Sequence, residues 1–106
     1  MTAVTLYAVF ADMAEAQRIG RLMIEEGLAA CVNLLQPCRS IYRWEGAIET
    51  ASEVPALFKT TLEAADRLID RIAELHSYSN PALVVWPILK LPAAYGDWVE
   101  DSIPQV

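Results

Sequence analysis

The sequence predicts an α+β fold in which two strand-helix-strand units share one sheet. Three observations lead there: two such units of similar length follow one another, a hairpin stretch lies between them, and no low-complexity linker divides the 106 residues. A chain of this length supports one compact core, so a single domain is expected over residues 1–106.

The first unit opens with VTLYAVF, residues 4–10, β-branched and aromatic as a strand prefers. Asp12 follows, able to accept from the free amides of a helix start, and Glu15 three residues on completes a capping box. Ile19, Leu22, Met23 and Glu26 then share one helical stripe, and Gly27 supplies the left-handed residue that ends it. Gly20 inside this helix is costly by propensity, which points to close backbone packing there. AACVNLL, residues 29–35, reads as the second strand, bent or ended by Pro37.

A third strand is expected in SIYRWEG, where Ser40, Tyr42 and Trp44 alternate with Ile41 and Arg43 and Gly46 marks a turn. Next come a short return strand, a polar turn near Ser52 and the strand ALFKT, with Pro55 placing its start at an edge or an irregularity. Thr60 and Glu63 form a second capping box, and Leu62, Ala65, Leu68, Ile69, Ile72 and Leu75 recur at helical spacing up to His76. SYSNP is turn chemistry, and ALVVWPIL, residues 82–89, is a continuous apolar strand. AAYGDWVEDSI closes the order as a short C-terminal helix. Together these elements make a ferredoxin-like split βαβ sandwich with an extended hairpin.

Composition narrows the function classes. A net charge of −6 and a pI near 4.6 leave no basic stripe for phosphates, so nucleic acid is not an expected partner. Apolar stretches are too short to cross a bilayer and no basic, then hydrophobic, leader is visible, so no membrane partner and a cytoplasmic location are expected. Hydrophobic residues reach 55% with a mean hydropathy of +0.28, more than one small core needs, and an oligomer interface would absorb the excess. Cys31 and Cys38 lack zinc spacing and are expected to be reduced thiols.

Several motifs carry a resemblance. ACVN at residues 30–33, SIYRWEG at 40–46, Lys59-Thr60, and His76, Tyr78 and Pro81 in the following turn, with Tyr95 and Trp98 in the tail, are similar in order and spacing to the CutA divalent-cation-tolerance family. The resemblance implies a homotrimer joined through sheets and hairpins, and tolerance to or binding of divalent cations, copper above all, with no established reaction. Ser77, Ser79 and Asn80 depart from the Pro, Glu and Val that members favour, and Cys38 stands where Gly is common.

Metal ligands are sought first at Cys31, whose position the resemblance singles out and whose thiolate would suit Cu(I); its other reading is a small buried hydrophobe. His76, the one histidine, ends a helix whose dipole favours its charged form, and is either an exposed nitrogen ligand or a helix cap. Cys38 reads as an incidental thiol in a turn. Lys59, Trp44, Tyr42, Tyr78, Tyr95 and Trp98 could line an intersubunit cleft for a small anionic ligand, or serve as core and interface anchors. Glu45, Glu49 and Glu53 could hold a hard cation, or form a solvated face that discourages edge aggregation. No G-x-S-x-G, phosphate loop or H-E-x-x-H is present, so no enzyme is expected. The rival function is a trimeric sensor similar to the PII-like signalling proteins, with a small molecule in the intersubunit cleft.

Overall fold

The computed structural model describes residues 2–104, and the ends of the domain expected over 1–106 lie outside the described residues. The chain runs β1 (Ala3–Phe10), α1 (Met13–Glu25), β2 (Cys31–Leu34), β3 (Cys38–Trp44), β4 (Ala47–Thr61), α2 (Leu62–Leu75), β5 (Leu83–Pro87) and α3 (Ala93–Asp101). β2, β4, β1 and β5 lie side by side in that order with antiparallel neighbours, while β3 pairs with the outer part of β4 as a two-stranded ribbon. The units β1-α1-β2 and β4-α2-β5 therefore interleave in one sheet, the split arrangement that the sequence predicts.

Local chemistry explains the helices. Asp12 Oδ1 accepts from Glu15 N at 2.8 Å, and the Glu15 carboxylate reaches back past Asp12 to accept from Ala11 N at 3.0 Å. Gly20 lies against β2 so closely that a Cβ would sit 3.2 Å from Val32 Cγ1, which is the close packing its sequence position implies. Gly27 ends the α1 segment with φ +73°, and a side chain there would also meet Pro104 Cδ at 2.9 Å. Arg71 of α2 makes two 2.9 Å bonds to the Glu26 carboxylate and ties the helices together at the surface.

The core fills one face of the sheet. Leu6, Ala8 and Phe10 of β1 and Val54, Ala56 and Phe58 of β4 interleave with Ala16, Ile19 and Met23 of α1 and Leu68 and Ile72 of α2. Each large side chain buried there stabilises the fold by roughly 1.5–3 kcal/mol. Val99 of α3 and Ile103 form a smaller cluster with Ala3, Ala30 and Ala64.

Four local features differ from the sequence reading. No turn occurs near Ser52: β4 runs unbroken, and Ser52 pairs with Arg39. The helix cap is Thr61, which accepts from Ala64 N at 3.2 Å, while the buried Thr60 hydroxyl donates to Leu28 O at 2.8 Å. Cys38 is not in a turn, because β3 starts there and places it opposite Glu53. Finally, the apolar β5 is an edge strand, with Val84 46% and Trp86 45% exposed.

Pro55 has an interior place in β4, opposite Val9 of β1. Its carbonyl accepts from Leu35 N at 3.0 Å, and in an antiparallel strand a residue's nitrogen points to the same side as its carbonyl. The missing N–H therefore falls where β2 has ended at Leu34 and β3 has not begun at Cys38. At the far end of the ribbon, Glu45 (φ 49°) and Gly46 (φ 82°) supply the two left-handed residues of a tight hairpin turn.

Candidate ligand face on the open side of the sheet

Strand alternation turns a second set of side chains away from the helices. Cys31, Lys59, Thr5 and Trp86 form one cross-strand row, and Asn33, Leu57, Tyr7 and Val84 form the next. Tyr7 and Trp86 stack diagonally with ring centroids 5.0 Å apart and planes 13° from parallel. Helix α3 brings Tyr95 to the end of the first row, where its hydroxyl lies 3.5 Å from Cys31 Sγ, and Trp98 packs on Tyr95 at 5.7 Å. The bond to Cys31, then burial, then the thiol's charge push the Tyr95 hydroxyl up to about 12, so it stays protonated at neutral pH. None of the ion pairs among the described residues engages Lys59, which is half-buried beside the thiol.

The residues expected to share a cleft thus separate within one chain. Cys31 and Lys59, with Tyr95 and Trp98, occupy one corner of the open face. Trp44 stands 50% exposed at the ribbon tip. Tyr78 sits at the ribbon root, where its hydroxyl donates to Glu53 Oε2 at 2.7 Å; burial, and then that carboxylate, hold the phenol well above the ordinary tyrosine value.

His76 departs from the exposed ligand that its helix-end position suggests. The ring is buried, with Nε2 2.7 Å from Val9 O and Nδ1 3.0 Å from Tyr78 N. Both nitrogens are engaged, so neither offers a lone pair to a metal in this conformation. Nearby, Glu15 is raised by burial but pulled further down by bonds from Ala11 N and from the hydroxyl and backbone of Ser77, and by attraction to His76, so its carboxyl lies below the ordinary value. Among the described residues no group of three or more His, Cys, Asp or Glu is placed to hold a metal ion, and Glu45, Glu49 and Glu53 form no such group. The described residues of one chain therefore do not gather a divalent-cation site of three or more such donors.

Tyr7, Val84 and Trp86 escaped the sequence reading of the site. Their signal was the apolar run at residues 82–89, which reads as a doubly covered strand until β5 is known to lie at the sheet edge.

An antiparallel sheet with both helices of its core on one face, a projecting ribbon and an aromatic, thiol-bearing face opposite defines a small α+β protein of the split βαβ type. Residues 4–102 match the model of the CutA1 divalent ion tolerance protein family. The chain is 39% identical over 87 residues to the divalent-cation tolerance protein CutA of Thermus thermophilus, covering 82% of this chain and 84% of that one. A solved structure from Archaeoglobus fulgidus, described as a periplasmic divalent cation tolerance protein, superposes with a TM-score of 0.93 at 32% identity, over 96% of this chain and 99% of that one. CutA1 of Oryza sativa superposes at 0.96 with 27% identity, over 100% and 97%. This chain belongs to the CutA1 family. Among its described residues no helix is long and apolar enough to cross a membrane.

Proposed function

We propose that this chain acts without catalysis, as a cytoplasmic homotrimer that holds copper or another divalent cation and so contributes to metal-ion tolerance. The observation that carries the metal reading is the Cys31 thiol, partly exposed and in contact with the Tyr95 hydroxyl. Thiolate is the ligand soft Cu(I) prefers, and assembly would bring further donors to those the described residues of one chain place near Cys31. Trimer formation is supported by the open face, where Val84 and Trp86 are exposed beside the half-buried Tyr7, and by Ile41 and Ile48, each 69% exposed on the ribbon. Two free thiols suit a reducing compartment, although the Archaeoglobus relative is described as periplasmic.

Competition against a Cu(I) chelator in reducing buffer tests the metal site. Wild type and Cys38→Ser are expected to retain copper after desalting, and Cys31→Ser to lose it, with retention falling as protons compete for the thiolate. Equal retention by wild type and Cys31→Ser would overturn the site. Light scattering is expected to give three 11.7 kDa chains; a mass of one or two would end the trimer reading.

Lys59, free of ion pairs among the described residues and in one row with Thr5 and Trp86, favours a second reading: a PII-like sensor that takes a small anion between subunits. Thermal shifts with nucleotides or small anions, absent with Cu(I), Cu(II) and Zn(II), would select it.

A further inference from the structure

The buried imidazole of His76 has a fixed proton arrangement. Val9 O can only accept, so Nε2 at 2.7 Å carries the hydrogen; Tyr78 N–H can only donate, so Nδ1 at 3.0 Å carries none. Phe10 stacks on the ring at 5.1 Å and 12°, and Tyr78 packs on it at 4.8 Å and 45°. The neutral Nε2–H form is therefore the one the fold accommodates.

A proton on Nδ1 would set two donors against each other 3.0 Å apart. One side must then move. Val9 and Phe10 lie in the central strand β1, paired to β4, whereas Tyr78 lies in the segment between α2 and β5. The turn is the side free to yield.

Charges around the ring decide whether the proton is tolerated. From α1, the Glu15 carboxylate attracts it while accepting from Ser77 N at 2.8 Å. From α2 comes the negative end of the helix dipole, since His76 N closes the last turn on Ile72 O. From β4, Glu53 faces the cluster through Tyr78, and from β3 the neutral Tyr42 lies near Tyr78; β1 contributes the uncharged Val9 and Phe10. The charged surroundings are anionic and offset part of the cost of burying an imidazolium, which also deprives Tyr78 N–H of its acceptor.

We propose that His76 is a pH-sensitive latch: its protonation opens the 77–80 turn and withdraws the Tyr78 hydroxyl from Glu53, loosening the root of the β3-β4 ribbon. The place is significant. Val54 is the last β4 residue paired to β1, and Glu53 the first paired to β3, so Tyr78 grips β4 where the body becomes the ribbon.

Amide hydrogen exchange followed by NMR on the full chain tests this between about pH 8 and about pH 5, where histidine is the side chain whose charge ordinarily changes. After correction for intrinsic exchange, protection of the Tyr78 amide is expected to fall about tenfold on acidification, one lost hydrogen bond's worth. Resonances of Glu53 and Cys38 should shift along the same curve. His76→Gln can donate to Val9 O and accept from Tyr78 N–H without titrating, so its Tyr78 protection should not depend on pH. An equal pH dependence in His76→Gln would overturn the latch and assign the effect to carboxylates. Should that variant not fold, imidazole nitrogen shifts of wild type decide: both nitrogens protonated with Tyr78 protection unchanged would also overturn it.

Discussion

The same strands of one sheet present two unlike faces. Toward the helices, Leu6, Ala8, Phe10, Val54, Ala56 and Phe58 are all buried in a continuous apolar layer. One residue along each strand, Thr5, Tyr7, Leu57, Lys59, Val84 and Trp86 form a mixed layer of rings, a hydroxyl and a cation, in which Thr5 is buried while Val84 and Trp86 are 46% and 45% exposed. Alternation thus gives the two parities of one strand unlike surroundings: one is packed in the main core, and the other becomes exposed toward β5.

Four substitutions test that contrast, starting with the largest effect. Phe58→Ala removes a fully buried ring and is expected to cost about 3–5 kcal/mol in urea unfolding at every protein concentration. Trp86→Ala on the opposite face should instead weaken assembly, read in light scattering as dissociation on dilution, as a lost subunit contact would. If the two variants unfold alike at all concentrations, the faces do not differ in kind.

Trp44→Ala addresses the ribbon. As an interface anchor, Trp44 should weaken the trimer by about 2 kcal/mol, read as dissociation at low concentration in light scattering. Wild-type mass and melting temperature in the variant would make Trp44 a surface residue only.

Glu15→Gln sharpens the contrast from the edge of the core. The folded carboxyl lies below its ordinary value of 4.5, so its stabilisation is complete above that value and is lost as pH falls through the folded one. Wild type should lose stability on acidification below about pH 5, and the variant should show a flatter profile from a neutral stability about 1.5–3 kcal/mol lower. Parallel profiles would show that the carboxylate is not the group responsible.

How much was legible in the sequence follows from how strongly each residue's environment constrains it. Asp12, Glu15 and Gly27 mark α1 because capping and left-handed geometry demand few residue types, and the α2 stripe is legible because one of its faces is buried. Ser52 misled because the ribbon has two surface-facing sides, so its polar residues imitate a turn. Thr60 and Thr61 are adjacent and chemically alike, and only the third dimension assigns one to Leu28 O and the other to the cap. In the site, Cys31 was singled out by a resemblance and Lys59 as a cation among aromatics, and only the strand register shows them opposite one another, while the place of His76 depended on the carbonyl of Val9, 67 residues away in the chain.

Pro55 gives the long strand β4 a built-in firebreak. A ribbon with both faces at the surface has no buried face to fix its register and relies on its tight turn at Glu45 and Gly46, and a slip of two residues would conserve its facing pattern. Were β2 and β3 one continuous partner of β4, such a slip would travel into the body and displace Cys31 from Lys59. The imino nitrogen stands at the gap between the two partners and offers no hydrogen bond through which the shorter strand could extend. The ribbon can therefore be re-registered, lengthened or exchanged while the row that carries the thiol stays where the helices have set it.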